Sequence, residues 1–363
     1  MTTMFSATSS EAARYQQILS QKIAEGARSA ASTIERIQNE VPTDRIVNTR
    51  AVDFAANGSG GVNRSGLTVS VDGEVLVPTD YAIEQIAEKA GVPTPYLRSL
   101  TTRDSAPWQR ELAAETLRRH YHNRPAERML SRSVNGNLRG WLSDRFRRLD
   151  ARPLLDVLTT ELSGIGAVPF SGTFTDTRVA IKALMPEIIE PVPGEFMVLG
   201  LEWGNSDYGN GPHRLAEFAI RVACLNGMTK ESVLREIHLG GRLSDRIEYS
   251  NRTYELDTRA SASALRDTVK GVLGPAARER FVNQIRAANA KETSEAQLKA
   301  HVKSLPMRTQ KAIVDAFKSE DVINLPAGST AWRASNAISW IAKSADEETR
   351  LDLERLAARP VAA

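Results

Sequence analysis

The sequence predicts an α+β protein: a mixed or antiparallel central sheet built of hairpins, flanked by helices and followed by a helical C-terminal region. Three observations carry this reading. Asp72-Gly73 and Asn135-Gly136 each sit between apolar-rich segments, the turn chemistry of two-residue hairpins. Helical patterns separate the early hairpins from later strands without regular strand–helix alternation, which argues against repeated βαβ units. Past Gly241 the chain reads as helix to its end, broken at Gly274-Pro275, Pro306 and Pro326-Ala327-Gly328, so three or four helices are expected.

Taken in order, residues 1–40 are rich in alanine and glutamine, with Ile18, Ile23, Ile34 and Ile37 as apolar positions. They predict a helix of modest amphipathicity, frayed or used in self-association. Asn57–Gly61 (NGSGG) is a loop or linker. "LTVSV" and "EVLVP" form a hairpin around Asp72-Gly73. In "PTDYAIEQIAEKAGVPTPYLRSL", Ile83, Ile86, Ala87 and Ala90 share a helix face. Gly91 stops that helix, and Pro93 or Pro95 starts a second. This is a helix-turn-helix outline, but its second helix offers only Tyr96, Arg98 and Ser99 for base reading, so a structural helix pair is preferred. A helix near 108–122 precedes the hairpin at Asn135-Gly136, and another helix spans about 152–162. Two further strand pairs follow, turning at 175–177 and at the glycine-rich "DYGNGP". The expected organisation is 1–75 (helix, loop and short hairpin), 76–122 (helix pair), 123–245 (α+β core) and 246–363 (helical region).

Charge is unevenly placed. The formal net charge is only +3, yet Arg118–Arg152 holds ten arginines against Glu127, Asp144 and Asp150. A local positive field of this kind suits a polyanionic partner, and the planar arginine fork suits phosphate. Strand parity extends the idea. Arg139 and Trp141 share one side of "NLRGWLS", Arg178 and Lys182 one side of "RVAIKALM", and Arg221 lies opposite Phe218, Ile220 and Val222. If register joins these sides, one sheet face carries Arg139, Trp141, Arg178, Lys182 and Arg221 beside the loop residues Arg145, Phe146, Arg147, Arg148 and Arg152. Cations would meet phosphates, and Trp141 and Phe146 would stack on unpaired bases. The same residues equally suit an ordinary solvated face of an antiparallel sheet, or arginines paired with acids inside the fold.

Other chemistry is sparse. No Gly-Lys dipeptide, and hence no P-loop, occurs. His120, His122, His213, His238 and His301 show no metal-ligand spacing, and the one cysteine, Cys224, reads as a small buried residue. No cofactor or metal is therefore expected. Asp176, Glu187, Glu190, Glu195, Glu202 and Asp207 could gather carboxylates around magnesium, the basis of a nuclease alternative. No apolar run is long enough to span a membrane, and "MTTMFSATSSEAARYQ" has no basic start followed by an apolar block, so a cytoplasmic protein is expected.

Several separated segments also resemble one family. "GWLSDRFRRLDARPLLDVL", "TDTRVAIKALMPEIIEPVPGEFMVLGLEWGNSDYGNG", "AIRVACLNGM", "REIHLGGRL" and "TAWRASNAISWIA" are similar, in order, to the phage/plasmid-like proteins grouped as domain of unknown function 932. The resemblance covers roughly residues 75–345. It implies a protein of a phage, plasmid or integrating element, often encoded among DNA-processing genes, and implies no catalytic residue. The Asn-Ser-acid pattern is matched by Asn205-Ser206-Asp207. The family's "SDRYR" pattern appears at Ser143–Arg147 with Phe146 in place of tyrosine, so a phenol hydroxyl is not required there. Together these readings predict a non-enzymatic nucleic-acid-binding protein that handles single-stranded DNA in recombination or replication and self-associates as a homo-oligomer. The alternatives are a structural protein that binds another phage or plasmid protein, and the metal-dependent nuclease.

Overall fold

The computed structural model describes residues 9–57, 66–102, 104–222, 226–238, 249–320 and 325–362. The glycine-rich 58–61, Cys224 and the start of the helical region at Gly241 lie outside them. The fold is α+β, with hairpin-built sheets, flanking helices and a helical C-terminal region, as the sequence predicts. Its strands divide between two sheets.

The first sheet contains β1 (Thr43–Asn48), β2 (Asp53–Ala56), β3 (Leu67–Val71), β4 (Glu74–Pro78), β5 (Arg128–Val134) and β6 (Asn137–Ser143), in the order β1-β5-β6-β4-β3-β2. Asp72 (φ 49°) with Gly73 (φ 83°), and Asn135 (φ 50°) with Gly136 (φ 78°), give both central turn residues the positive φ that matches hairpin twist. The parallel pairing of β4 with β6, Val77 to Asn137 and Pro78 to Leu138, draws the β5–β6 hairpin into the N-terminal sheet. The sheet thus crosses the boundary drawn at residue 123. Helices α2 (Asp80–Ala90), α3 (Thr94–Leu100) and α4 (Pro107–Asn123) pack on it through Ile83, Ile86, Leu97 and Leu117. Thr79 caps α2 by accepting from the Ala82 N–H, and Gly91 ends it at φ 67°. The helix pair serves as the cover of a sheet.

The second sheet is an antiparallel meander in the order β11-β10-β9-β8-β7: β7 (Val168–Phe174), β8 (Val179–Val192), β9 (Glu195–Asn205), β10 (His213–Arg221) and β11 (Asn226–Glu236). Ile181, Ala183, Leu201, Trp203 and Leu215 line one face beneath α5 (Ala151–Gly164) and α6 (Asn251–Val272). On the opposite face Leu184, Val198, Phe218 and Ile220 meet Leu19 of α1 (Ser9–Asn39). That face continues into a polar group, Lys182, Glu202 and Arg214. Helix α1 lies so close to β7 that a Cβ on Gly26 would fall 1.6 Å from the Phe170 carbonyl oxygen. The helix expected to fray or self-associate is docked on the chain's own sheet.

Beyond residue 249 the described chain forms seven helices rather than three or four: α6, α7 (Pro275–Ala290), α8 (Glu295–Val302), α9 (Met307–Lys318), α10 (Ala331–Ala342), α11 (Glu347–Ala357) and α12 (Arg359–Ala362). The proline and glycine breaks fall where expected. The additional ends, at Lys291, Lys343 and Ala358, carry neither residue.

Candidate anion-binding site

The residues singled out from sequence do not share one sheet face. Arg139 and Trp141 belong to the first sheet, while Lys182 and Arg221 belong to the second, where Arg178 immediately precedes β8. A register shift near Arg132 and Ser133, opposite Gly140 and Leu138, inserts an extra residue on β6. That bulge breaks strict alternation. Leu138 and Trp141 both enter the core, while Arg139 turns away. Trp141 is 1% exposed and packs edge-on to Tyr121, so it cannot stack on a base. Phe146, 7% exposed, stacks on His238 at 4.9 Å and 3°.

The arginines of this stretch are largely neutralised. Arg132, 1% exposed, lies 2.7 Å from Asp44 and 2.8 Å from Asp150. Burial alone would favour discharging it; the two carboxylates outweigh burial and hold its pKa above the ordinary arginine value. Arg139 pairs with Glu40, donates to the carbonyls of Thr175 and Asp176, and sits 4.5 Å from the centre of the Tyr208 ring. Arg147 forks onto Asp257 (2.6 and 2.7 Å) and reaches Glu236 at 3.3 Å, and Arg148 lies 3.3 Å from Asp44 over the Tyr254 ring. Arg221 forks onto Glu195, which also accepts from the Trp332 indole and so ties the C-terminal helices to the sheet. Arg145 and Arg152 have no ion-pair partner among the described residues; Arg145 is half-buried and Arg152 exposed. The expected open patch is thus mostly a joint between the sheets.

Asn205-Ser206-Asp207 completes that joint. The Asn205 side-chain amide donates to the Leu149 carbonyl and its oxygen faces His238 at 3.1 Å. The Asp207 carboxylate accepts from the Ala151 N–H at the start of α5. Burial, then the neighbouring Asp150, pushes the Asp207 carboxyl up to about 7; burial pushes His238 down to about 4.

A different set of cations converges on one cleft, although Arg178 and Arg355 also reach Asp352 at 3.5 and 3.1 Å. A cleft of about 260 Å³ is lined by Arg178, Arg214, Arg235 and Arg355, with Asn210 and Ser206 at one wall, and no carboxylate is among its described lining residues. β10 and β11 place Arg214 directly opposite Arg235, and α11 lays Arg355 across the strands. The loop wall is held by Ser206, whose hydroxyl donates to the Thr177 carbonyl at 2.6 Å and accepts from the Asn210 N–H at 2.8 Å. Arg178 is braced by the backbone and side-chain oxygens of Asn210. Beneath the cleft, fully buried Glu202 is shared by Lys182, Arg214 and Arg355 and accepts from the Thr229 hydroxyl, while Lys182 pairs chiefly with Glu354. Burial lowers the Lys182, Arg214 and Arg355 pKa values; Arg214 falls to about 9, with Arg355 and Arg178 as further causes.

Lys182 and Arg178 therefore do come together, but Lys182 lies under the cleft. Arg214, Arg235 and Arg355 were not singled out from sequence. Arg214 shares the parity of Phe218 and Ile220, so a cation on an apolar strand face was the available signal. Nothing local marks Arg355. A larger cavity of about 470 Å³ is lined by Arg36 and Arg139 but also by Glu40, Asp80 and Asp176, and so offers an anion no excess of positive charge. The acids weighed for magnesium serve separate partners. Glu187 pairs with Arg278, Glu190 accepts from the Gly194 N–H, and Glu195 and Glu202 hold the cations above. Among the described residues no three metal-ligating side chains converge, and no described helix is long and apolar enough to cross a membrane. No family model, curated protein or solved structure matches this chain.

Proposed function

We propose that the protein is a non-enzymatic, cytoplasmic nucleic-acid-binding protein of a phage or plasmid, and that the arginine cleft holds phosphates of single-stranded DNA. The carrying observation is that Arg178, Arg214, Arg235 and Arg355 line one cavity with no carboxylate among its described lining residues. Guanidinium forks match phosphate oxygens in pairs, and a partly desolvated cluster strengthens each such bond. The resemblance to the domain of unknown function 932 proteins agrees with this reading.

Anisotropy titration of a labelled single-stranded oligonucleotide at two salt concentrations tests it. Affinity should fall steeply with salt, because neutralised phosphates release counterions, and should fall again in Arg355→Gln. Undetectable binding at low salt would reject the proposal. A second reading, a structural protein whose partner is another mobile-element protein, is favoured by the internal pairing of Arg139, Arg147 and Arg148. It gains if the oligonucleotide does not bind.

A further inference from the structure

We infer that the arginine cleft recognises a terminal phosphomonoester, the phosphorylated end of a strand, in preference to an internal phosphodiester. This rests on the reading that the ligand is nucleic acid, and three features of the cavity carry it further.

The first is size. At about 260 Å³ the cleft is smaller than the roughly 300–1,000 Å³ of pockets that enclose a drug-sized ligand. A phosphate and its ester oxygen can enter.

The second is shape. The walls contributed by Ala180, Gly204, Ser206 and Arg214 are buried. An internal phosphate carries a sugar on each side and is held away from such a recess, whereas an end phosphate carries one and can reach Arg214. Gly204 contributes to this recess: a Cβ there would stand 3.2 Å from Arg214 Nε, tighter than ordinary contact, so the bare glycine leaves the guanidinium its place against β9.

The third is charge. Arg178, Lys182, Arg214, Arg235, Arg350 and Arg355 gather around the site, against Glu202, Glu348, Asp352 and Glu354. Among the described residues cations exceed carboxylates by two. A phosphomonoester carries about −1.5 to −2 at neutral pH and matches that excess, while a diester carries a single charge. The depressed pKa of Arg214 has burial as its first cause and then the neighbouring Arg355 and Arg178.

The experiment uses the full chain and one single-stranded sequence in three forms: 5′-phosphorylated, 3′-phosphorylated, and hydroxyl at both ends. Inorganic phosphate and a nucleoside monophosphate serve as competitors. At one salt concentration, at least one phosphorylated form should bind about tenfold more tightly than the hydroxyl form, roughly one charge-assisted interaction. Inorganic phosphate should compete. The preference should fall to within twofold in Arg214→Gln and in Arg235→Gln; the latter alters an exposed side chain with no partner among the described residues, so it keeps the test valid if Arg214→Gln fails to fold. Equal affinity for all three oligonucleotides would overturn end recognition while leaving nucleic-acid binding intact. Binding of phosphate and the monophosphate, with no binding of any oligonucleotide, would keep the phosphomonoester site and overturn the nucleic-acid reading. Loss of every signal would overturn both.

Discussion

Two regions of this molecule are rich in arginine, and they differ in where folding places the counter-charges. Between Arg118 and Arg152 the cations are dense in sequence. Folding brings acids to them from remote segments: Glu40 to Arg139, Asp44 to Arg132 and Arg148, Asp257 to Arg147. In the cleft the cations are sparse in sequence, at 178, 214, 235 and 355, yet they line one cavity with no carboxylate among its described lining residues; Glu202 and Asp352 pair with three of them from outside that lining. Local density therefore says little about the field a protein presents. What decides it is whether the fold delivers counter-charges, and that depends on pairings tens to hundreds of positions apart.

The comparison is tested most severely at Arg132. If the dense region is a structural joint, Arg132→Ala leaves Asp44 and Asp150 facing each other without their cation and should destabilise the fold by about 3–5 kcal/mol, as when one partner of a buried pair is removed. Urea denaturation measures this. A stability unchanged from wild type would mean the joint is dispensable, and the region would again be open to a binding role.

Next in size are two opposed pH effects in the same joint. His238 stays neutral down to about pH 4, whereas in the unfolded chain it protonates near 6.5. Its contribution is thus present above 6.5 and is lost as pH falls toward 4. Asp207 keeps its proton up to about pH 7, whereas the unfolded carboxyl ionises near 3.8. Its contribution is present at low pH and is lost as pH rises toward 7. Each is on the order of 3 kcal/mol, and across pH 4.5–6.5 they oppose each other. Wild-type stability should be nearly flat there. Asp207→Asn should grow more stable as pH rises, and His238→Gln less stable, by urea midpoints at three pH values. Parallel profiles in the two variants would show that the groups do not titrate as their surroundings require.

Much of the fold was legible because its signals are local. Asp72-Gly73, Asn135-Gly136, Thr79 with Gly91, and the prolines at 275 and 306 each act within a few residues. The division into two sheets was not legible, because it turns on the short parallel contact between β4 and β6, two segments far apart in the chain. The site was less legible still. The bulge on β6 cancelled the parity that linked Arg139 to Trp141, and the supposed stacking ring became core. Arg214 was visible in principle as a cation among apolar neighbours on β10, but Arg355 acquires its meaning only when α11 crosses the strands.

A smaller effect separates the cleft from the joint. Arg235→Gln should weaken binding of a single-stranded oligonucleotide about tenfold while leaving the urea midpoint unchanged, since Arg235 is exposed and has no partner among the described residues. The joint should behave in reverse: Arg147→Gln removes a fork onto Asp257 and should lower stability without a specific loss of affinity. If both variants lose affinity equally, the two regions form one surface and the contrast between them dissolves.

The smallest expected effect lies at Arg145 and Arg152, the two arginines of the dense stretch with no ion-pair partner among the described residues. They retain the charge that first suggested a nucleic-acid surface there, but they lack convergence. Each is a single cation at the edge of the joint, screened by salt and backed by no second fork aimed at the same point. Changing both to glutamine should therefore shift affinity by less than twofold, and stability not measurably. The charge reversal Arg145→Glu with Arg152→Glu should do more, but only at low salt, because it acts at a distance rather than by contact. Should the glutamine pair abolish binding while Arg235→Gln leaves it intact, strand contact would lie on the 145–152 loop, and the cleft would have to serve a different anion.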